Sequence, residues 1–187
     1  MADQKANMDL LRSAAKKTNP DFIKNLPASE KEKVLNGEAS VGQVVGLTGP
    51  EMLEMAMQGF RLYEQGRYKD AKVVFDGLCE LDPAEAYYRT ALGAIYLAED
   101  DLQTALQLFT HALALNAKDS AALVNRGEVH LRLGNIMEAV RDLAHAVELD
   151  PYAREPLTQR ARLLAAAALE SIEAAQREAG MEPSAKR

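Results

Sequence analysis

Cysteine occurs once in this sequence and tryptophan not at all, and phenylalanine and tyrosine together make up only 5% of 187 residues. A single thiol cannot close an internal disulfide, so stability cannot depend on an oxidising compartment. With aromatics this scarce, the expectation is helices packed closely through small side chains, with alanine abundant. The longest apolar run is LLAAAAL, residues 163–169, far below the roughly 20 residues that cross a bilayer. The opening stretch MADQKANMDLLRSAAKK has no apolar core of the kind a secretory leader carries. The expected location is therefore the cytoplasm.

Basic excess is also lacking where a nucleic acid would need it. Residues 1–50 carry 7 basic and 6 acidic groups, and residues 154–187 carry 6 and 5, whereas residues 51–153 carry 9 and 17. An acidic body repels phosphate backbones, which excludes nucleic acid as the expected partner. No phosphate-binding loop, zinc-ligand spacing or Gly-x-Ser-x-Gly elbow occurs. His111 and His145 stand 34 residues apart with no carboxylate or thiol spaced to join them, and Glu99-Asp100-Asp101 lacks the alternating ligands of a calcium loop. The expectation is a protein without metal, cofactor or catalytic residues, and not an enzyme.

What is present is a period. At an offset of 34 residues Gly59, Gly93 and Gly127 align, as do Ala71, Ala105 and Ala139. Phe75, Phe109 and Leu143 follow, then Leu78, Ala112 and Ala146, then Leu81, Leu115 and Leu149. Blocks 52–85, 86–119 and 120–153 fit one template without insertion. Small residues at places 8 and 20, a large apolar residue at 24 and proline near 32 resemble the tetratricopeptide repeat, a helical hairpin stacked in tandem. The glycine and the alanine let the two helices approach, and the large residue fills the space between blocks. Asp82-Pro83 and Asp150-Pro151 end helices, because proline cannot continue one. Gly66 and Gly134 mark turns inside blocks, with Asp100-Asp101 serving in the second.

The expected fold is therefore all-α: a solenoid of three helical hairpins with an N-terminal helical lead and a long C-terminal capping helix. Three parts are expected: an arm and lead-in over 1–50, the repeats over 51–153, and a capping helix with a short disordered tail over 154–187. In the lead, residues 3–17 could form a weak amphipathic helix with Met8, Leu11 and Ala15 on one side. Ser29 is expected to start a short helix ending at Gly37, Ser40 another through Val45, and Thr48 the first repeat helix. Pro156 should open a helix to residue 179, capping the apolar end of the stack. Its length also leaves room for a second subunit at the far end.

In a stack of this kind the first helix of each hairpin lines the concave side. Places 4, 8 and 11 are expected to be buried, which turns places 2, 5, 9, 12 and 13 outward. The expected peptide groove is therefore Phe60, Tyr63 and Glu64, then Tyr87, Thr90, Ala94 and Leu97, then Val124, Glu128, Leu131 and Arg132. Apolar side chains on a face that should meet water usually mark a binding surface, and spaced anchors suit an extended peptide. Cys79 aligns with Leu113 and Val147, so it reads as a packing residue. His130 reads as a core histidine.

One stretch carries a narrower likeness. In residues 40–82, Tyr63, Gly66-Arg67-Tyr68, Ala71, Phe75 and Leu78-Cys79-Glu80-Leu81-Asp82 resemble the first repeat of the class II chaperones of bacterial type III secretion. LGAIYLAEDDLQTAL and VNRGEVHLRLGNIMEA continue the likeness. The resemblance implies a cytosolic chaperone that takes an extended apolar segment of a secreted translocator in its groove. It also implies homodimers through N-terminal helices, and the C-terminal helix is a second candidate interface. The arm and the last helix are longer here than in that family, and the Asp-Pro pairs are more like those of generic repeats. The competing reading is a general repeat scaffold in a bacterial assembly, which would bind a folded partner.

Overall fold

A computed structural model describes residues 27–178; the expectations for residues 3–17 and for the tail MEPSAKR lie outside them. Among the described residues there are nine helices and no strand: α1 (Ala28–Leu35), α2 (Val41–Val44), α3 (Gly49–Glu64), α4 (Tyr68–Leu81), α5 (Ala86–Ala98), α6 (Leu102–Leu115), α7 (Ser120–Arg132), α8 (Ile136–Leu149) and α9 (Pro156–Glu178). The all-α expectation is met, and the hairpins α3/α4 and α7/α8 are packed as expected. The chain divides into two compact units, one ending at Ile95 and one beginning at Tyr96. No helix among the described residues is long and apolar enough to cross a membrane.

In the first unit, local chemistry sets the helix starts. Ser40 accepts from the Gln43 amide at 3.3 Å, and the Gln43 side chain accepts from the Ser40 amide at 2.9 Å. Thr48 and Glu51 make the same reciprocal pair at the head of α3. Each box satisfies donors that a helix start leaves open. Ser29, by contrast, does not cap α1. Pro27 occupies that place without a side-chain bond, and Ser29 falls inside the first turn. Proline suits the entry to a helix, where a missing amide costs nothing. The lead-in packs firmly: α2 lies on α4, and Val41, Val45 and Leu47 are buried.

The hairpin contact is built on glycine. A Cβ added at Gly59 of α3 would stand 2.8 Å from Phe75 Cε2 and 3.1 Å from Val74 Cγ1 of α4. Phe75 is fully buried by that approach, with Leu78 and Leu81 beside it. In the second unit a Cβ at Gly127 of α7 would lie 2.8 Å from Leu143 Cγ of α8. The turn between helices needs positive φ: Gly66 has φ 72° and Gly134 φ 78°. Asp100 holds the equivalent position with φ 67°, a conformation that costs a side-chain-bearing residue about 1 kcal/mol. Asp101, next to it, caps α6 by accepting from the Thr104 amide at 3.1 Å. Helix ends repeat as well. Asp82 accepts from the Ala84 amide and Asn116 from the Lys118 amide, and Asp150 accepts from Glu155 at 3.0 Å.

The second unit contains an interaction that the periodicity did not reveal. Arg126 of α7 grips Asp142 of α8 through two bonds, Nε to Oδ2 at 2.7 Å and Nη2 to Oδ1 at 2.8 Å. Its Nη1 reaches Thr110 Oγ1 of α6 at 3.3 Å, so one guanidinium ties three helices. The pair is largely withdrawn from water, with side-chain exposures of 22% and 7%. The same two places hold Gln58 and Val74 in block one, and Leu92 and Leu108 in block two. α9 closes the unit by packing on α8 and α7, with Thr158, Ala161 and Ala168 buried. Beyond Ala168 none of its residues through Arg177 is buried, and only Ile172 and Gln176 are partly covered.

Two outcomes are expected. Gly59→Ala or Gly127→Ala should lower the thermal midpoint, each costing about 1–3 kcal/mol through overpacking; an unchanged midpoint would contradict the close approach. Arg126→Leu should destabilise by about 3 kcal/mol or more by stranding the Asp142 carboxylate. The double change Arg126→Leu with Asp142→Leu, which copies block two, should recover most of that in urea unfolding.

Candidate peptide-binding surface

The wall expected from the sequence is best formed in the first unit. Leu53, Met57 and Phe60 of α3 are 59%, 48% and 46% exposed. Their spacing of four and three residues places them on one face of the helix. Tyr87, at the start of α5, is 45% exposed. Two aromatic groups hold these anchors in place. The Phe60 ring lies 6.2 Å from Tyr63, and Tyr63 lies 5.7 Å from Tyr68. The Tyr87 ring meets Phe75 edge-on at 6.3 Å and Tyr88 at 6.1 Å. Such contacts fix ring positions without covering them. Tyr63 is half-buried within its group, Glu64 is exposed, and Ala94 is half-buried.

Place 5 does not belong to this surface. Thr90 is buried and its hydroxyl donates to the Ala86 carbonyl at 3.3 Å. Val124 is fully buried, as is Ala56. An inner helix of a stack has neighbours on more than one side, so its buried arc is wider than a single amphipathic stripe. Place 6 faces outward instead, and there Met57 was missed. Composition carried the signal: place 5 holds Ala, Thr and Val, whereas place 6 holds Met, Ala and Asn.

In the second unit the same face is polar and internally paired. Glu128 of α7 is bound by Arg160 of α9, whose other nitrogen reaches Asn125 Oδ1 at 3.2 Å. Arg132 is bound to Asp100. Leu97 and Leu131 are half-buried. Of the residues expected in the groove, Phe60, Glu64, Tyr87 and Arg132 are therefore exposed, and Glu128 is engaged by the last helix.

Among the described residues no group of three or more His, Cys, Asp and Glu side chains is placed to hold a metal ion. His130 is half-buried, its Nδ1 lying 3.4 Å from Asn135 Nδ2, and burial holds its pKa below the usual value. Burial likewise pushes the Cys79 thiol up to about 11, although Arg89 opposes the shift. At pH 8 the thiolate fraction should be roughly a hundredfold below that of an exposed thiol. Iodoacetamide should therefore label Cys79 about a hundredfold more slowly than a free thiol; labelling at the free rate would contradict the packing role.

The tetratricopeptide-repeat family model matches residues 96–155. Low calcium response locus protein H of Yersinia pestis is 25% identical over 118 residues, covering 63% of this chain and 70% of that protein. PcrH of Pseudomonas aeruginosa superposes with a TM-score of 0.61 at 28% identity, covering 66% of this chain and 96% of PcrH. PcrH bound to the chaperone-binding region of PopD matches with a TM-score of 0.62 at 27% identity, covering 68% and 97%. The Yersinia enterocolitica type III secretion chaperone SycD, with a peptide of the translocator YopD, matches at 0.60 and 25%, covering 69% and 97%. The chain carries a tetratricopeptide-repeat match over residues 96–155 and resembles the translocator chaperones of type III secretion.

Proposed function

We propose that this chain is a chaperone of a type III secretion system, acting in the cytoplasm, that holds an extended apolar segment of a translocator-type client. The observation that carries the reading is the stripe Leu53, Met57 and Phe60 on an inner repeat helix, large apolar side chains left facing water. The relatives support it, since PcrH is solved with chaperone-binding regions of PopD and of PopB, and SycD with a YopD peptide. SycD is also solved as a dimer, and pairing with a second copy belongs to the same proposal.

The mechanism is one of burial. Each client anchor laid against Leu53, Met57, Phe60 or Tyr87 removes apolar area from water on both partners, at about 25 cal/mol per Å². Ordering the peptide takes back part of the gain. A secretion chaperone must later release its client, so a modest surplus from a few anchors suits the task. The acidic repeat region keeps the loaded complex soluble. Nothing in this role makes or breaks a covalent bond, so no catalytic residue is assigned. Glu64 and Arg132, both exposed, are proposed to meet the client's polar backbone or side chains.

Phe60→Glu and Tyr87→Glu should each weaken capture of a co-expressed translocator segment about 10- to 100-fold, or about 1.4–2.7 kcal/mol. Both variants should keep the parent's helical circular dichroism. Undiminished capture by the double variant would remove these residues from the site.

A further inference from the structure

The last helix runs on past the surface that holds it. α9 extends from Pro156 to Glu178, yet beyond Ala168 none of its residues through Arg177 is buried. About 15 Å of helix, at 1.5 Å per residue, therefore has little of its own unit against it. A free stretch of two to three turns is marginal in water, so a helix that continues this far calls for a second surface.

We propose that this surface is the same helix of a second copy, packed antiparallel about a two-fold axis at Ala166. The proposal names an interface for the pairing of copies and stands apart from the client site on α3. Thr158, Ala161 and Ala168 mark the side of α9 that packs on its own unit. The opposite side carries Leu163, Ala166, Glu170 and Glu173, at intervals of three and four residues that keep them in line. Arg162 and Leu169 flank that line. All six are exposed, Leu163 by 73% and Leu169 by 52%.

Charge identifies the occupant. About a two-fold axis, a residue a given number of places before Ala166 meets the residue the same number of places after it on the other copy. Arg162 thus meets Glu170, Leu163 meets Leu169, and Glu155 meets Arg177. Gln159 meets Glu173, so every charge on this face finds the opposite sign or a neutral amide. A parallel pair would instead set Arg162 on Arg162 and Glu170 on Glu170, with the two helix dipoles aligned. The bonds already present do not use up the cations. Arg162 gives Nη2 to the Pro151 carbonyl at 2.6 Å and Arg177 gives Nε to the Glu173 carbonyl at 3.2 Å, and a guanidinium has five donors. Ala166, small and exposed at the axis, lets the two backbones approach. The free half of each α9 then rests on the anchored half of the other. A contact confined to one helix lies at the low end of specific interfaces, which points to a dissociation constant of about micromolar order.

Analytical ultracentrifugation of the full chain tests this. The parent should show a monomer–dimer equilibrium that weakens in about 1 M salt. Arg162→Glu and Glu170→Arg should each weaken pairing about 10-fold or more by setting like charges face to face, with helical circular dichroism unchanged. Two rescues are then expected. The double variant should pair within about threefold of the parent, and mixing the two single variants should give a heterodimer although neither pairs alone. A parent that stays monomeric up to about 200 µM, single swaps that leave pairing unchanged, or swaps without rescue would each overturn the proposal. Capture of a translocator segment lost in Arg162→Glu and not restored in the double variant would assign this face to the client and overturn it as well. Undiminished capture after Phe60→Glu with Tyr87→Glu, while the charge swaps behave as stated, would remove the client site alone and leave this interface standing.

Discussion

The approach of an inner to an outer helix at a bare glycine is the contact on which the rest depends. At Gly59 the ring of Phe75 lies where a Cβ would go, and at Gly127 the Leu143 side chain does the same. With helices this close, the large side chain is sealed from water and the rotation of the inner helix about its axis is fixed. Fixing that rotation decides which residues of α3 face outward. Leu53, Met57 and Phe60 are exposed because Met55, Ala56, Gly59 and Leu62 are held inward. The site is a consequence of packing, and no loop is needed to build it.

The three blocks share a backbone plan and differ in what they display. Along places 2, 6 and 9 the series runs Leu53, Met57, Phe60, then Tyr87, Ala91, Ala94, then Ala121, Asn125, Glu128. Large apolar anchors give way to small residues and then to polar ones. In the second unit the polar members are tied down by Arg160, and the neighbouring Arg132 by Asp100. Exposed pairs of this kind add little stability, but they do fix side chains and leave few apolar atoms to offer. The bidentate Arg126–Asp142 pair has a different role, since it is withdrawn from water and joins α7 to α8 at places where the other blocks carry uncharged residues. Along these places the exposed large apolar side chains accordingly lie in the first unit.

Much of this was legible before any coordinates. A period of 34 with fixed small and large places points to helix pairing, because each hairpin needs its partner helix to hide the large apolar residue at place 24. Both capping boxes were readable from Ser40-x-x-Gln43 and Thr48-x-x-Glu51, since the chemistry lies within four residues. Ser29 misled because a capping residue works only if its own backbone is extended, and Pro27 takes that role while Ser29 is already helical. The exposed face was half legible. Phe60 and Tyr87 were placed correctly, but Thr90 and Val124 were assigned outward because a single buried stripe underestimates an inner helix with neighbours on more than one side. The ion pairs were invisible because Arg126 and Asp142 are 16 residues apart, and Arg160 and Glu128 are 32 apart. Nothing local predicts that these side chains meet.

The central claim is that an apolar client lies on the inner face of α3. Methyl NMR of the full chain, with Leu and Met labelled and an apolar translocator segment titrated in, tests it most directly. The account predicts shifts concentrated at Leu53 and Met57, with Leu115, Met137 and Leu163 unmoved although they too are exposed. Shifts gathered at Met137 or Leu163, with Leu53 and Met57 silent, would contradict it.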